Sequence, residues 1–419
     1  MHLLTLYDKF IQIMDKIIFI ICDGLSDRPI REFGGKTPLE KAHTHNLDKL
    51  VQNGLVGLIH TVDRGIRPGS DVAHLSLFGY DPKKYYTGRG IFETIGISMD
   101  IKPGDIAFRG NFATVDNHMI VRDRRAGRID HTKELIDALS KIKIKGIQIF
   151  LKKGVGHRVG VVLRGKNLSD QITDVDPHDL NKKILIANSR DGKSASQKTA
   201  EIINEFTLKS YNLLKNHPFN IKRQKNKLPL ANILLVRGGS QMTNIPSFKE
   251  KYDLKAACIA GAGLYKGIAK SLGMDIIETK GTTGKPDSEI KNKIEKAINI
   301  LKDYDFIFIH IKGADSLSED GNYEGKRQFI EKIDHALKEL INLKNVMIVV
   351  TADHTTSSKL KIHTADPVPV VISYRDIHTD DVSSFGEHEA HKGRLGHIKG
   401  IELMPILLDY LGKAPLYGA

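Results

Sequence analysis

Three apolar, β-branched segments each run into acidic or histidine residues, and this repeated pattern constrains the fold more than any other feature. The segments are IIFIIC before Asp23, FIFIHI before Asp315, and VMIVVTA before Asp353 and His354. Continuous apolar strands are typical of a parallel sheet that is buried on both faces. Such sheets gather their functional groups at the carboxyl ends of the strands, so the pattern predicts a site at one sheet edge.

The segments between these strands predict an α/β protein with an inserted domain. Two further strands of the same sheet are predicted at Ile233–Val236 and Ala256–Ala260, with helices at 264–272 and 288–301. A chain of 419 residues exceeds what one hydrophobic core usually serves. Short strands at 147–151 and 159–163, with turn glycines, set the middle of the chain apart. The predicted boundaries are an N-terminal extension at 1–14, a sheet domain at 15–107 and 230–419, and an inserted domain at 108–229.

The composition argues against a membrane-spanning protein and against a disulfide-bonded one. No apolar run approaches the roughly 20 residues of a membrane-spanning helix. Only two cysteines occur, each in or beside an apolar run, which predicts buried thiols in a reducing cytoplasm rather than a disulfide. The net charge of +13 fits either a nucleic-acid partner or anionic substrates, but its lysines are dispersed along predicted helices, as on a solvated surface.

Asp23, Asp353 and His354 are candidate metal ligands at two strand ends. Asp23 precedes a glycine, and Asp-Gly is also a favoured turn pair, so a structural turn is the alternative. Adjacent Asp353 and His354 can each offer one ligand to neighbouring ions, and this mixed donor set suits Mn or Zn. The alternative for this pair is a helix N-cap followed by an unrelated histidine.

Asp315 and His363 are two further candidate ligands. Asp315 is expected to be followed by a loop, SLSEDGNYEGK, whose Glu319 and Asp320 could reach the same ion; a solvated acidic turn is the alternative. His363 precedes Pro367 and Pro369, which favour an extended, rigid segment. A histidine in a loop can also be ordinary polar surface.

Ser70 is the candidate nucleophile. Pro68 and Gly69 form a predicted turn, and the chain is expected to become helical from Asp71, which places the hydroxyl at a helix amino end. Unsatisfied backbone N–H groups and the helix dipole favour an anion there, although serine is also a common N-cap. These sites together offer enough ligands for two metal ions, which can activate a hydroxyl for phosphoryl transfer.

Motifs along nearly the whole chain resemble the alkaline phosphatase superfamily, and within it the archaeal-type 2,3-bisphosphoglycerate-independent phosphoglycerate mutases. The matching segments include IIFIICDGLSDRP, GGKTPLEKAHTHNLDKL, GSDVAHLSLFGYDP, YYTGRGIFE, DIAFRGNFATVD, DRRAGR, YDFIFIHIKGAD, TADHTT and HTADPVPV, in the family's order. The resemblance implies a parallel-sheet sandwich core with a smaller inserted α/β substrate domain.

The resemblance also implies a metal-ligand set. Asp23, Ser70, Asp353 and His354 would hold one divalent ion, and Asp315 and His363 would help to hold a second. The family's usual histidine four residues after the aspartate is Glu319 here, which shifts the expected preference toward Mn or Mg and away from Zn. Asp320 is the alternative ligand. The implied cofactors are two divalent ions, Mn first, with Mg, Co or Zn as alternatives, and no bisphosphoglycerate.

The implied substrate is phosphoglycerate, held by the inserted domain. The candidate binding residues there are Arg109, Arg124, Arg125, Arg128, His157 and Arg158. Arginine forks match phosphate and carboxylate groups, but some of these residues can instead form surface salt bridges. The implied activity is interconversion of 3- and 2-phosphoglycerate through a phosphoserine. A metal-dependent phosphatase, another phosphomutase of the superfamily, and a basic nucleic-acid-binding protein are the alternatives, and neither nucleic acid nor membrane is expected as a partner.

Overall fold

The structure is a computed structural model in which residues 16–418 are described. The N-terminal extension expected at 1–14 lies outside the described residues. The described chain divides into two compact units. The first comprises 16–86, Pro246–Gly261 and 272–418, and the second comprises Thr87–Ile245 and Ala262–Ser271.

The strands follow the chain in this order: β1 (Lys16–Cys22), β2 (Gly54–His60), β3 (Ile106–Val115), β4 (Val121–Asp123), β5 (Gln148–Lys153), β6 (Arg158–Arg164), β7 (Ile233–Gln241), β8 (Ala256–Ile259), β9 (Asp275–Ile276), β10 (Phe306–Ile311), β11 (Val346–Thr351), β12 (Thr355–Ser357), β13 (Ile362–Thr364), β14 (Val368–Ser373) and β15 (Gly396–Lys399).

The α-helices are α1 (Pro38–Lys41), α2 (His45–Gln52), α3 (Ser70–Leu77), α4 (Pro82–Tyr85), α5 (Arg89–Gly96), α6 (Lys133–Leu139), α7 (Ser194–Leu214), α8 (Pro218–Lys225), α9 (Phe248–Tyr252), α10 (Gly263–Ser271), α11 (Ile290–Ile300), α12 (Gly313–Glu319), α13 (Tyr323–Leu337), α14 (Glu387–Ala390) and α15 (Gly400–Tyr410). Short 3-10 turns lie at Arg31–Phe33 and Lys338–Leu340.

The first unit is built on an eight-stranded, mostly parallel sheet, as the apolar segments predicted. Its strand order is β15-β2-β14-β11-β1-β10-β8-β9. β1 lies parallel to both β10 and β11, and β8 continues the parallel pairing beyond β10. Only β14 runs against its two neighbours. The carboxyl ends of β1, β10 and β11 therefore lie side by side, which brings together the residues just beyond them.

The second unit is built on an antiparallel sheet in which β3 pairs with β4, β6 and β7, and β5 pairs with β6. Its apolar core joins these strands to α6 and α7, with Leu135, Val161, Phe206 and Leu234 all buried. The prediction that Ile233–Val236 belongs to the parallel sheet is wrong, because β7 pairs with β3. A short apolar run specifies burial but not which neighbouring strand supplies the hydrogen bonds.

The second unit is also larger than the predicted insertion at 108–229, because α5 and α10 belong to it. These two helices pack almost backbone to backbone. A Cβ added at Gly96 would lie 1.7 Å from the Gly263 carbonyl oxygen, and one at Gly267 would lie 1.7 Å from that of Phe92. Close packing through glycine, rather than a run of large apolar residues, thus attaches α10 to this unit.

The segment after β10 is helical, which corrects a second expectation. Asp315 lies in the first turn of α12, where a loop was expected, and α13 begins a few residues later. Serine and aspartate are weak helix formers in isolation, and here Gly313 and Ala314 are packed in the interior. Among the described residues, no helix is long and apolar enough to cross a membrane. Cys22 and Cys258 are both buried, and no disulfide joins them.

Candidate active site

The ends of the parallel strands bring five candidate ligands into two overlapping groups. Asp23, Asp353 and His354 form one group, and Asp315, His354 and His363 form the other. Within each group, one ligand atom from each residue lies within 4.8 Å of the others. His354 belongs to both groups. The two groups of candidate ligands are therefore neighbours that share one imidazole-bearing residue.

Asp23 lies in the turn that was the structural alternative, and it is also one of the candidate ligands. It lies in a turn closed by a hydrogen bond from Leu25 N–H to the Cys22 carbonyl, and its carboxylate is buried. Its Oδ2 lies 3.1 Å from His310 Nε2 and 3.2 Å from Lys312 Nζ. Burial opposes ionisation, but Lys312 and His310 hold the pKa of Asp23 well below its usual range. Asp23 is thus a buried carboxylate that stays charged.

Gly24 fixes the direction of the chain beside this carboxylate. Its φ is +63°, and a Cβ there would approach Thr356 Oγ1 to 2.6 Å and Asp315 Cα to 2.8 Å. Its N–H donates to Asp353 Oδ1 at 3.1 Å. A side chain at position 24 would separate the groups that the three strands bring together.

Asp353 shows that the residues fit a cation. It is fully buried, and its Oδ2 accepts no hydrogen bond from the residues that the structure describes. Burial, together with the nearby charge of Asp23, raises the pKa of Asp353 to about 7. A buried carboxylate oxygen without a donor is costly unless a cation balances it. Oxygen and imidazole donors of this kind suit a divalent ion such as Mn or Zn.

The hydrogen bonds of His354 determine which nitrogen faces the carboxylates. Thr356 Oγ1 donates its single proton to Asp315 Oδ1 at 3.0 Å, so it accepts from His354 Nδ1 at 2.9 Å. Nε2 then carries the lone pair, 3.5 Å from Asp23 Oδ1 and 3.3 Å from Asp353 Oδ2. Burial and the neighbouring His363 lower the pKa of His354 to about 3. A neutral imidazole oriented in this way is a ready metal ligand.

His363 is also oriented by a hydrogen bond from Nδ1, but it differs from His354 in charge: burial opposes protonation, yet Asp315 raises the pKa of His363 to about 9. Its Nδ1 lies 3.1 Å from the Pro68 carbonyl oxygen, to which it donates, so Nε2 faces Asp315 Oδ1 at 3.5 Å. The ring stacks on that of His354 with centroids 3.6 Å apart. His363 lies in β13, so the expected extended backbone is present as a short strand rather than as a loop.

Ser70 is the first residue of α3, and its hydroxyl reaches the ligand cluster. Gly69, not Ser70, is the N-cap, and no side chain caps this helix. Ser70 Oγ instead lies 3.2 Å from His354 Nε2. His74 lies one helical turn after Ser70, and its Nδ1 is 2.6 Å from the Ser70 carbonyl oxygen. This contact holds the backbone of Ser70 in place. The hydroxyl is therefore held beside the candidate ligands and is not used for helix capping.

Glu319 and Asp320 lie at the carboxyl end of α12, and both side chains are exposed. Glu319 is one helical turn after Asp315 and so lies on the same side of α12. Neither residue belongs to the two ligand groups found among the described residues. A ligand role for either remains a prediction.

Sequence reasoning missed four side chains that surround the cluster, namely His74, His310, Lys312 and Thr356. The signal for His310 was a histidine within an otherwise apolar strand. Lys312 bridges two carboxylates, lying 2.7 Å from Asp315 Oδ2 in addition to its contact with Asp23. Its side chain keeps 19% of its surface exposed, so it is not fully enclosed by the cluster.

The second unit contains a cluster of arginines around Glu93. Arg109 is almost fully buried and lies 3.3 Å from Glu93, which Arg89 also contacts at 3.0 Å. Burial opposes ionisation, but Arg109 and Arg89 lower the pKa of Glu93 to about 2. One carboxylate thus balances two guanidinium groups, which leaves net positive charge in this part of the unit.

Most of the predicted substrate-binding residues lie near this cluster. Arg124 and Arg237 share Asp176, at 3.4 Å and 3.5 Å. Burial and the charges of Arg158, Arg109, Arg125 and Arg237 lower the pKa of His157 to about 3.

Arg125 and Arg128 are exposed, and Arg128 occupies a left-handed backbone position. Arg89 and Arg237 were not predicted from the sequence. YYTGRGIFE contains Arg89 and could have indicated it, whereas Arg237, in the middle of β7 directly after its apolar run, gave no clear signal.

Comparisons with known proteins indicate the family of this chain. A family model described as 2,3-bisphosphoglycerate-independent phosphoglycerate mutase matches residues 51–220. Proteins named as such mutases from Archaeoglobus fulgidus and Methanococcus vannielii are 47% and 48% identical over 96% and 97% of this chain, and the matches cover 100% of both relatives.

Two solved structures are similar along nearly the whole chain. A protein of Pyrococcus horikoshii is 36% identical with a TM-score of 0.83, and the match covers 97% of this chain and 100% of the other. The cofactor-independent phosphoglycerate mutase of Thermoplasma acidophilum is 37% identical with a TM-score of 0.68, and the match covers 95% and 100%.

Proposed function

Because the chain belongs to the 2,3-bisphosphoglycerate-independent phosphoglycerate mutase family, we propose that it interconverts 3- and 2-phosphoglycerate by passing the phosphoryl group through Ser70. One observation carries the choice of nucleophile. Ser70 Oγ lies 3.2 Å from His354 Nε2, beside the only two ligand groups of this kind found among residues 16–418. The enzyme is an isomerase of the phosphomutase class, acting in glycolysis and gluconeogenesis.

The proposed metal centre uses the ligands that converge at the strand ends. Asp23, Asp353, His354 and Ser70 would hold one divalent ion, and Asp315 and His363 would hold a second, with Glu319 as a further ligand. Mn is the proposed metal because the donors are mainly carboxylates with imidazole. When bound, the ions supply Lewis acidity that lowers the pKa of the serine hydroxyl and balances charge on the transferring group.

The protein's own groups prepare Ser70 for attack on phosphorus. Residue 70 begins α3, whose first N–H groups and dipole favour a negatively charged phosphoryl group at that position. His74 holds the backbone of Ser70 in place, and Lys312 offers an ammonium group to a phosphoryl oxygen. Transfer to Ser70 Oγ breaks the bond between phosphorus and the 3-oxygen of the substrate, and that oxygen gains the proton that the serine loses, so glycerate is released. The 2-hydroxyl of glycerate then takes the phosphoryl group and gives its proton back to Ser70, which yields 2-phosphoglycerate.

The proposed substrate contacts are the arginines of the second unit together with His157, which is neutral because its pKa is lowered to about 3. Arg109, Arg124, Arg125, Arg128, Arg158 and His157 were predicted, and Arg89 and Arg237 join them on electrostatic grounds. Burial and the surrounding arginines lower the pKa of Arg237, so an anion would relieve repulsion among these guanidinium groups. Carboxylate and phosphate groups are the anions that guanidinium forks fit best.

A product assay separates this proposal from a phosphatase. The purified protein is stripped of metal, restored with Mn, and given 3-phosphoglycerate without bisphosphoglycerate. The proposal predicts 2-phosphoglycerate, little inorganic phosphate, and loss of both on chelation. Phosphate as the main product would indicate a phosphatase, and no reaction with any divalent metal would reject the substrate. We place the enzyme in the cytoplasm, because its two buried cysteines suit a reducing compartment.

A further inference from the structure

Three histidines outside the candidate active site form a hydrogen-bonded chain on the first unit. His60 Nε2 lies 3.1 Å from His397 Nδ1, and His397 Nε2 lies 3.2 Å from His391 Nδ1. None of the three belongs to either group of candidate ligands around Ser70. His397 and His391 are exposed, and His60 is partly buried, so ions in solution can reach the chain of rings.

The backbone holds these histidines together. β15 is the edge strand of the sheet and pairs in parallel with β2, with His397 opposite Leu58. Alternation along a strand puts Leu58 and His60 on one face, so His397 and His60 share that face. The turn that follows α14, closed by a hydrogen bond from Gly393 N–H to the Ala390 carbonyl, brings His391 back toward the strand.

The charges around the histidines favour neutral rings. Burial, His397 and Arg64 lower the pKa of His60, and burial, His391 and Arg64 lower that of His397. The negative charge of Asp63 raises the pKa of His60, but this charge is balanced by Lys399, which lies 3.0 Å from the Asp63 carboxylate. Two neutral imidazoles in contact present a lone pair between them, and a neutral nitrogen is the form that binds metals.

The spacing of the first pair matches metal chelation. Two imidazole nitrogens bound to one tetrahedral ion at about 2.0–2.1 Å are about 3.3 Å apart, close to the separation of His60 Nε2 and His397 Nδ1. His391 then has a separate role. By accepting the proton on His397 Nε2, it fixes the tautomer in which Nδ1 carries the lone pair, as outer hydrogen-bond partners of metal-binding histidines do. Without an ion this lone pair accepts from His60 Nε2–H, and the ion takes the place of that proton when His60 shifts to the tautomer protonated on Nδ1.

We propose that His60 and His397 bind a transition-metal ion, with His391 as the residue that orients His397. Imidazole pairs without carboxylates select Ni²⁺, Cu²⁺ or Zn²⁺ over Mg²⁺ or Mn²⁺. The ion ties the edge strand β15 to β2. Binding therefore stabilises the fold, because the unfolded chain does not hold the two rings together.

The test compares Ni²⁺ binding to the full-length wild-type protein and to variants, all in excess Mn²⁺, by equilibrium dialysis. Any exchange of Ni²⁺ for Mn²⁺ at the Ser70 cluster is common to all of them, so the difference reports the new site. We expect one Ni²⁺ ion per chain fewer in His397→Gln and in His60→Gln. His391→Gln should retain the ion with roughly tenfold weaker affinity. His388→Gln, an exposed histidine on α14, is the matched control and should bind as wild type does.

Thermal unfolding provides an independent measurement. Ni²⁺ should raise the Tm of the wild type and of His388→Gln, but not that of His60→Gln or His397→Gln, while the Tm values without Ni²⁺ remain similar. Equal Ni²⁺ binding by wild type and the double variant His60→Gln/His397→Gln would overturn the proposal. Loss of one bound Ni²⁺ ion per chain in His388→Gln, as in His60→Gln and His397→Gln, would also overturn the proposal.

Discussion

Ser70 Oγ and His354 Nε2 are 3.2 Å apart, although 284 residues separate them in the chain. One group begins α3 and the other lies just beyond β11, so the fold rather than local sequence creates the pair. The lone pair of Nε2 also faces Asp23 and Asp353, which places the hydroxyl among groups suited to hold a cation. This relationship underlies the account of phosphoryl transfer.

The shared position of His354 predicts unequal effects of two histidine substitutions on metal binding. His354→Gln should weaken Mn binding at both sites, by about tenfold or more, because it removes a ligand from each group. His363→Gln should weaken one site only. Equilibrium dialysis with Mn would measure both affinities. His335→Gln, an exposed histidine on α13, should match the wild type, and identical binding curves for His354→Gln and wild type would contradict the ligand assignment.

Glu319 stands where the family usually has histidine, and this difference predicts a change in metal preference. If Glu319 binds the second ion, Glu319→Ala should lower Mn affinity, and Glu319→His should shift the preference toward Zn. Asp320→Ala is the matched control, since its side chain is adjacent and also exposed. Competition between Mn and Zn, followed by activity and by metal analysis, measures the preference. The opposite pattern, in which only Asp320→Ala loses Mn, would make Asp320 the ligand.

The positive cluster of the second unit predicts a defect in substrate binding. Arg237→Ala should raise the KM for 3-phosphoglycerate by about tenfold or more, since a hydrogen bond to a charged group contributes about 1.5–3 kcal/mol. Arg122→Ala provides a control, because Arg122 is half-exposed and pairs with Asp116. Steady-state kinetics of both variants would measure KM and kcat for 3-phosphoglycerate. An unchanged KM and kcat in Arg237→Ala would remove Arg237 from the substrate site.

Glu93 predicts how stability depends on pH. Its pKa is about 2 in the folded protein against an ordinary value of 4.5, so its ionised form stabilises the fold above about pH 4.5. This contribution, roughly 3 kcal/mol at neutral pH, is lost as the pH falls through 4.5 toward 2.

Urea unfolding of Glu93→Gln should therefore show a large loss of stability at pH 7 and a smaller one near pH 3. Removing this partner also leaves Arg109 buried without its nearest carboxylate, which adds to the loss at neutral pH. Glu134→Gln, at an exposed position on α6, should show neither effect. A stability difference between Glu93→Gln and wild type that does not change with pH would contradict the interpretation.

The sequence predicted the parallel strands and the residues at their ends because both obey local rules. Runs such as Phe306–Ile311 carry the signal of a strand buried on both faces, and β-sheet geometry places the residues just beyond such strands at a common edge. The convergence of Asp23, Asp315 and Asp353 was predicted in this way. Ser70 was located by the turn before it and the helix after it.

Other features depended on tertiary contacts that no local pattern encodes. β7 is as apolar as the strands of the parallel sheet, and only its pairing with β3 assigns it to the second unit. The packing of α5 on α10 through Gly96 and Gly263 has no apolar stripe of large side chains to indicate it. The tautomer of His354 depends on Thr356 and Asp315, a network visible only in three dimensions.

The most direct test of the account compares Ser70→Ala with the wild type in forming 2-phosphoglycerate from 3-phosphoglycerate with Mn present. Ser76→Ala, a buried serine on the same helix, controls for effects on folding. The account predicts that Ser70→Ala folds and still binds Mn but loses at least about 10⁴-fold in kcat, because the group that accepts the phosphoryl is absent. Turnover by Ser70→Ala at the wild-type rate would contradict the central claim that the phosphoryl group passes through Ser70.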